Sequence, residues 1–125
     1  MNVKIDTKEK FTVITPQDTE LTAIMTEELA VMLRTYQQKD ISHVVLNLSV
    51  VDDLDKNGCE ILTNIQQEFY ENDYSFVICA LKAAVEDKMD QLELLEILNV
   101  TPTESEAWDI IQMEAIEREL MQGED

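Results

Sequence analysis

An apolar stretch from Val44 to Val51 is interrupted only by Asn47 and Ser49. Its four valines give it the β-branched composition of a strand buried on both faces. After an acidic turn the spacing changes, and Ile61, Leu62, Ile65 and Phe69 recur on one side of a helix. Applied along the chain, the same two periodicities predict strands at about 2–8, 10–15, 43–49, 74–80 and 97–101. Helices are predicted at about 22–38, 58–71, 84–95 and 104–121. Strand and helix alternate from the second strand onward, which implies right-handed crossovers and parallel pairing. The first two strands are separated by Glu9 and Lys10 at most, so they must pair antiparallel. The result is an α/β domain with a mixed, mostly parallel sheet of about five strands and four helices.

Within the first helix Met25, Leu29, Met32, Leu33 and Tyr36 share a face. In the last, Ala107, Trp108, Ile111, Ala115 and Ile116 do, so Trp108 reads as core rather than as a ligand platform. Thr103 and Glu106 form a capping box at the start of the last helix, and Asn57 with Glu60 forms an Asn-x-x-Glu variant of it at the second. The strand that ends near Ser49 feeds almost directly into that second helix. Its loop therefore lies at the carboxyl end of the sheet, where open α/β folds usually carry their sites.

The chain's 125 residues make one domain, long enough to build a core without disulfides or metal. The segment Met1–Lys10 is charged, and no apolar run approaches the ~18 residues that cross a bilayer, so a cytoplasmic protein without a secretory signal is expected. Charge removes further classes. With 27 acidic and nine basic residues, the net charge of −18 repels nucleic acid and anionic membrane surfaces alike. The acid concentrates from Ala83 to Asp125, where 13 carboxylates face only Lys88 and Arg118. Such a surface keeps a protein soluble, and it also steers basic protein partners.

Little else points to chemistry. Cys59 and Cys79 fit no zinc spacing. Cys79 reads as a small core residue, and Cys59 stands near a helix start, where a thiol pKa can fall, although burial is the commoner fate. His43, the only histidine, has no nucleophile–acid motif around it, and a non-enzymatic protein is expected. Asp53, Asp55, Asn57 and Gly58 do occupy positions 1, 3, 5 and 6 of an EF-hand loop. Position 12, however, holds Asn64 in place of the bidentate Glu, and a strand rather than a helix precedes the loop. No metal site and no cofactor is expected.

The segment Asn47-Leu48-Ser49, a short spacer, then Asp55-Lys56-Asn57-Gly58 resembles the signature of the STAS domain, the fold of bacterial anti-sigma-factor antagonists. There a strand ends Asp-Leu-Ser and a helix opens at Asp-Ser-Ser-Gly. The likeness takes in Leu21 to Asp40 as the first helix and Leu98 to Thr103 before the last. It implies a domain over residues 1–121 with 122–125 as a loose tail, strands stacked nearly in chain order, and helices mainly on one face. It also implies a switch, in which the second serine of the motif is phosphorylated by an anti-sigma factor with a kinase-like ATPase fold. The unphosphorylated domain sequesters that kinase, and the phosphorylated one releases it. Here Asn57 stands at the phosphoacceptor position and has no hydroxyl. The resemblance makes Asp55, Lys56, Asn57, Gly58 and Cys59 the partner-binding set, with Ser49 and Thr63 as weak substitute phosphoacceptors. Two alternatives stay open: a scaffold subunit of a signalling assembly, and a small-molecule or nucleotide-sensing domain. The second lacks a Gly-rich phosphate cradle, since Gly58 is one of only two glycines.

Overall fold

The computed structural model describes residues 1–122. Strands β1 (Val3–Thr7), β2 (Thr12–Pro16) and β3 (Glu20–Leu21) precede helix α1 (Ala23–Thr35), which runs into one 3-10 turn, Tyr36–Gln38. Then come β4 (Val44–Asn47), β5 (Asp53–Leu54), α2 (Lys56–Glu71), β6 (Phe76–Cys79), α3 (Ala83–Gln91), β7 (Val100–Thr101) and α4 (Glu104–Gln122). The main sheet has the order β1-β2-β4-β6-β7, and only the β1–β2 hairpin is antiparallel. The mixed, mostly parallel sheet stacked in chain order is therefore as the sequence implied. Two two-residue strands, β3 and β5, form a separate parallel pair that the sequence pattern did not reveal.

Period-2 alternation divides the strand side chains between two cores. Ile14, Val44, Leu46, Phe76 and Ile78 point to one face, where α1, α2 and α3 cover them with Leu29, Leu33, Leu62, Ile65, Phe69, Val85 and Met89. Val13, Val45, Val77 and Cys79 point to the other, closed by α4 through Ala107 and Ile111. Trp108 packs at the margin of this second core, stacked on Phe11 with ring centroids 5.2 Å apart. Ile116, assigned by periodicity to the buried face, is exposed, because five residues after Ile111 it lies about 140° around the helix from it.

At the amino ends of the strands a polar network fastens α4. Ser75 Oγ donates to Glu114 Oε1 at 2.6 Å, Asn99 Nδ2 donates to Glu114 Oε2 at 3.1 Å, and Arg118 Nη2 donates to Ser75 Oγ at 3.1 Å. His43 belongs to this end, its Nδ1 accepting from the Ser75 N–H at 3.0 Å. Burial, and then the charge of Arg118, holds the imidazole below its ordinary pKa despite Glu114.

Helix α3 stops at Gln91, four residues short of the predicted end. Glu93 there adopts φ 59°, and the Leu94 N–H returns to the Met89 carbonyl at 2.9 Å, a Schellman closure without glycine. Asp73, with φ 65°, ends α2 in the same way. Helix α4 includes Gln122, which the expected tail had contained; residues 123–125 lie outside those described.

Candidate functional site

The loop between β4 and α2 is fixed from several directions before the helix begins. Asn47 Oδ1 accepts from the Ser49 N–H at 2.9 Å and turns the chain, while Asn47 Nδ2 donates to Glu104 Oε2 of α4 at 3.0 Å. The Thr19 carbonyl then accepts from the N–H groups of both Asp52 and Asp53, at 2.7 and 3.1 Å. Asp53 and Leu54 pair with Glu20 and Leu21. From the opposite side Lys82 Nζ reaches Asp52 Oδ1 at 2.6 Å, and Lys88 Nζ reaches both Asp53 Oδ1 and the Leu54 carbonyl at 2.8 Å. The bond to Asp53 raises the Lys88 ammonium above its ordinary pKa, so the lysine stays charged in the neutral range. An exposed ion pair alone contributes little, up to about 1 kcal/mol. Lys88 differs in holding a backbone carbonyl as well, which fixes where α2 starts.

The start itself differs from the sequence expectation. Asp55 is the N-cap, its Oδ1 accepting from the Asn57 N–H at 3.2 Å, and the first intrahelical bond runs from the Cys59 N–H to the Asp55 carbonyl at 3.0 Å. Asn57 is thus the second helical residue rather than the cap, and the expected Asn57–Glu60 capping box does not form. The reason is tertiary: pairing of β5 with β3 ends at Leu54, so the chain turns into the helix one residue later.

Of the five residues assigned to partner binding, Asp55, Lys56 and Asn57 are exposed, whereas Gly58 and Cys59 are buried. Gly58 does allow a close approach, but the approaching element is α1. A Cβ there would lie 2.8 Å from Thr26 Oγ1 and 3.1 Å from Leu54 Cδ1. Cys59 sits in the main core, and burial pushes its thiol pKa up, so the helix start does not activate it. These two residues support the loop from below and cannot touch a partner directly.

The substitute phosphoacceptors separate as well. Thr63 is half-buried, and its hydroxyl donates to the Cys59 carbonyl at 2.9 Å inside α2. Ser49 is exposed in the β4–β5 turn. The calcium-loop spacing does not assemble its oxygens into a cage, because Asp53 lies in a strand and faces Lys88 while Asp55 caps α2. Among the described residues no group of three His, Cys, Asp or Glu side chains could hold a metal ion.

A strand-end turn feeding a helix, on a sheet in this order, is the arrangement the sequence motif implied. A profile of the STAS domain family matches residues 2–107. The chain belongs to the STAS domain family. Solved STAS structures share its fold at low identity. A Thermotoga maritima protein assigned as an anti-sigma factor antagonist is 18% identical with a TM-score of 0.78, over 88% of this chain and 94% of that one. RsbS from Moorella thermoacetica, in a form with one serine replaced by glutamate, is 17% identical with a TM-score of 0.74, over 92% and 98%. The Bacillus cell-fate determinant SpoIIAA in its phosphorylated form is 15% identical with a TM-score of 0.64, over 88% and 99%.

The residues that sequence reasoning missed in this STAS domain are Thr19, Thr26, Lys82 and Lys88. Each reaches the loop from about thirty residues away or more, and no local pattern marks such a contact. Among the described residues no helix is long and apolar enough to cross a membrane.

Proposed function

We propose that this STAS domain is a regulatory binding module of the antagonist type. Its partner is an anti-sigma factor with a kinase-like ATPase fold, sequestered through the exposed start of α2, and the interaction is not switched by phosphorylation of that start. The observation that carries the reading is Asn57. It occupies the second position of α2, exposed, where the family motif places its phosphoacceptor, and it presents an amide in place of a hydroxyl. SpoIIAA, which shares the fold, exists in phosphorylated and unphosphorylated forms. Asn57 would hold this chain in the equivalent of the second, the form that binds. Lys56 beside it is exposed, and among the described residues it makes no ion pair, so it is free to meet a partner.

The test uses wild-type, Asn57→Asp and Asn57→Ser proteins as baits in lysate of the source cell, followed by incubation of the captured ATPase with ATP. Wild type should retain a kinase-like ATPase and gain no phosphoryl group by intact mass. Asn57→Asp, which places a negative charge in the contact, should lose most of the ATPase, and Asn57→Ser should become phosphorylated at residue 57. Stoichiometric phosphorylation of the wild type at Ser49 or Thr63 would overturn the claim that the switch is absent. Equal capture by wild type and Asn57→Asp would remove the start of α2 from the interface.

A further inference from the structure

The outer edge of β1 carries a self-complementary pattern, and from it we infer that the chain forms a two-fold dimer by antiparallel pairing of β1 with β1 of a second copy, centred on Ile5. Among the described residues no strand lies beyond β1 in the sheet. The hairpin register fixes which groups face outward. Lys8 N–H bonds the Phe11 carbonyl and Gln17 N–H bonds the Asn2 carbonyl, so the even-numbered residues of β1 use their backbone groups on β2. By alternation, the N–H and C=O groups of Val3, Ile5 and Thr7 point away from the sheet. Ile5, 48% exposed, offers apolar surface at the same edge.

Natural edges are protected by short strands, proline or charge of one sign. The opposite edge has the first two: β7 is two residues long and Pro102 follows it. β1 is five residues long and carries one basic and one acidic side chain, Lys4 and Asp6, on either side of Ile5. Only three two-fold registers pair more than one outward residue of this strand with outward residues of the second copy. One centred on Lys4 sets lysine against lysine, and one centred on Asp6 sets aspartate against aspartate. The register centred on Ile5 sets Lys4 against Asp6 of the second copy twice over, in the closer, non-hydrogen-bonded positions. It also brings the two Ile5 side chains together and aligns Val3 with Thr7.

Overall charge points to the same edge. Two chains at −18 repel over most of their surfaces, but Met1–Lys10 holds Lys4, Lys8 and Lys10 against Asp6 and Glu9. At about 0.15 M salt the distant repulsion is screened within roughly 8 Å, while directly opposed pairs keep their attraction. A strand-edge contact of this length buries less surface than a standard interface, so the dimer is a weak, reversible one.

Sedimentation equilibrium of the full chain up to about 1 mM, in about 0.15 M salt, tests this. Wild type should show a monomer–dimer equilibrium. Asp6→Lys should raise the dissociation constant about tenfold, because symmetry converts two attractive pairs into two repulsive ones. The swap Lys4→Asp with Asp6→Lys should restore association to within about threefold of wild type, a rescue that loss of an internal contact would not give. Ile5→Pro removes an outward N–H that β2 does not use, and it should leave a folded monomer. If Ile5→Pro fails to fold, the charge cycle decides alone. A wild type that stays monomeric throughout, or a dimer indifferent to Asp6→Lys, overturns the inference.

Discussion

Helices α2 and α4 start at the same pole of the sheet, a single hydrogen bond from Asn47 to Glu104 links their entrances, and each is capped by a side-chain oxygen. Their first turns could hardly differ more. In α4, Thr103 Oγ1 accepts from the Glu106 N–H at 3.2 Å, and Glu104 and Glu106 place carboxylates at the positive end of the helix dipole. In α2 the corresponding residues are Lys56, Asn57 and Gly58: a cation where the dipole disfavours one, an amide, and the poorest helix former after proline. The first turn of α4 serves its own helix. That of α2 does not, and its composition makes sense only through what surrounds it, with Gly58 answering to α1 and the exposed Lys56 and Asn57, on the proposed reading, to a partner.

The largest test of that contrast is at the third helical position. Gly58→Ala gains up to about 1 kcal/mol of helix propensity but drives a methyl group against Thr26 Oγ1. The threonine cannot simply rotate away, because it is β-branched and its hydroxyl donates to the Thr22 carbonyl at 2.8 Å. Overpacking of this kind costs about 1–3 kcal/mol, so urea unfolding should show a net loss. In a Thr26→Ala background the loss should shrink by at least about 0.5 kcal/mol. Glu106→Ala, at the matching position of α4, should cost less than Gly58→Ala. Additivity of Gly58→Ala with Thr26→Ala would mean that the contact with α1 is not why residue 58 is glycine.

The two caps come next. Asp55→Ala and Thr103→Ala should each lower stability by about 1 kcal/mol, within the range of roughly 0.5–2 for lost N-caps. Their effects on partner capture should diverge, since Asp55 belongs to the proposed contact and Thr103 does not. Loss of capture by Thr103→Ala as large as that by Asp55→Ala would extend the proposed surface to α4.

The same contrast shows why the sequence disclosed one helix start and misplaced the other. At α4, Thr103 with Glu106 in register reads as a cap, and the helix uses it. At α2, Asp55 and Asn57 are both good caps on local chemistry. The choice between them was made by the β3–β5 pairing and by Lys88, elements too short or too distant to leave a periodic signal. The main sheet was legible because β4 and β6 are apolar on both faces, which only a covered central strand tolerates. The end of α3 was not, because Glu93 occupies a left-handed position that sequence reasoning reserves for glycine or asparagine. Of the candidate site, the position in the chain was visible and the division of labour was not: burial of Gly58 and Cys59 depends on how closely α1 approaches.

The smallest effect is also the sharpest discriminator. Asn57→Asp would give α2 the first-turn carboxylate that α4 already has, and a carboxylate there typically contributes about 0.3–1 kcal/mol. Among the described residues the Asn57 side chain makes no hydrogen bond, so nothing is lost in the exchange. The carboxylate of the neighbouring cap, Asp55, opposes the gain. The expected change is therefore at the low end, a rise in melting temperature of about 1–2 °C that shrinks with added salt. Asn57→Gln, with no new charge, should leave the melting temperature unchanged. A clear fall for Asn57→Asp would mean that residue 57 lies among carboxylates closely enough for repulsion to exceed the dipole. Any loss of partner capture by that variant would then have a structural cause. A rise, together with lost capture, would assign the loss to the interface alone.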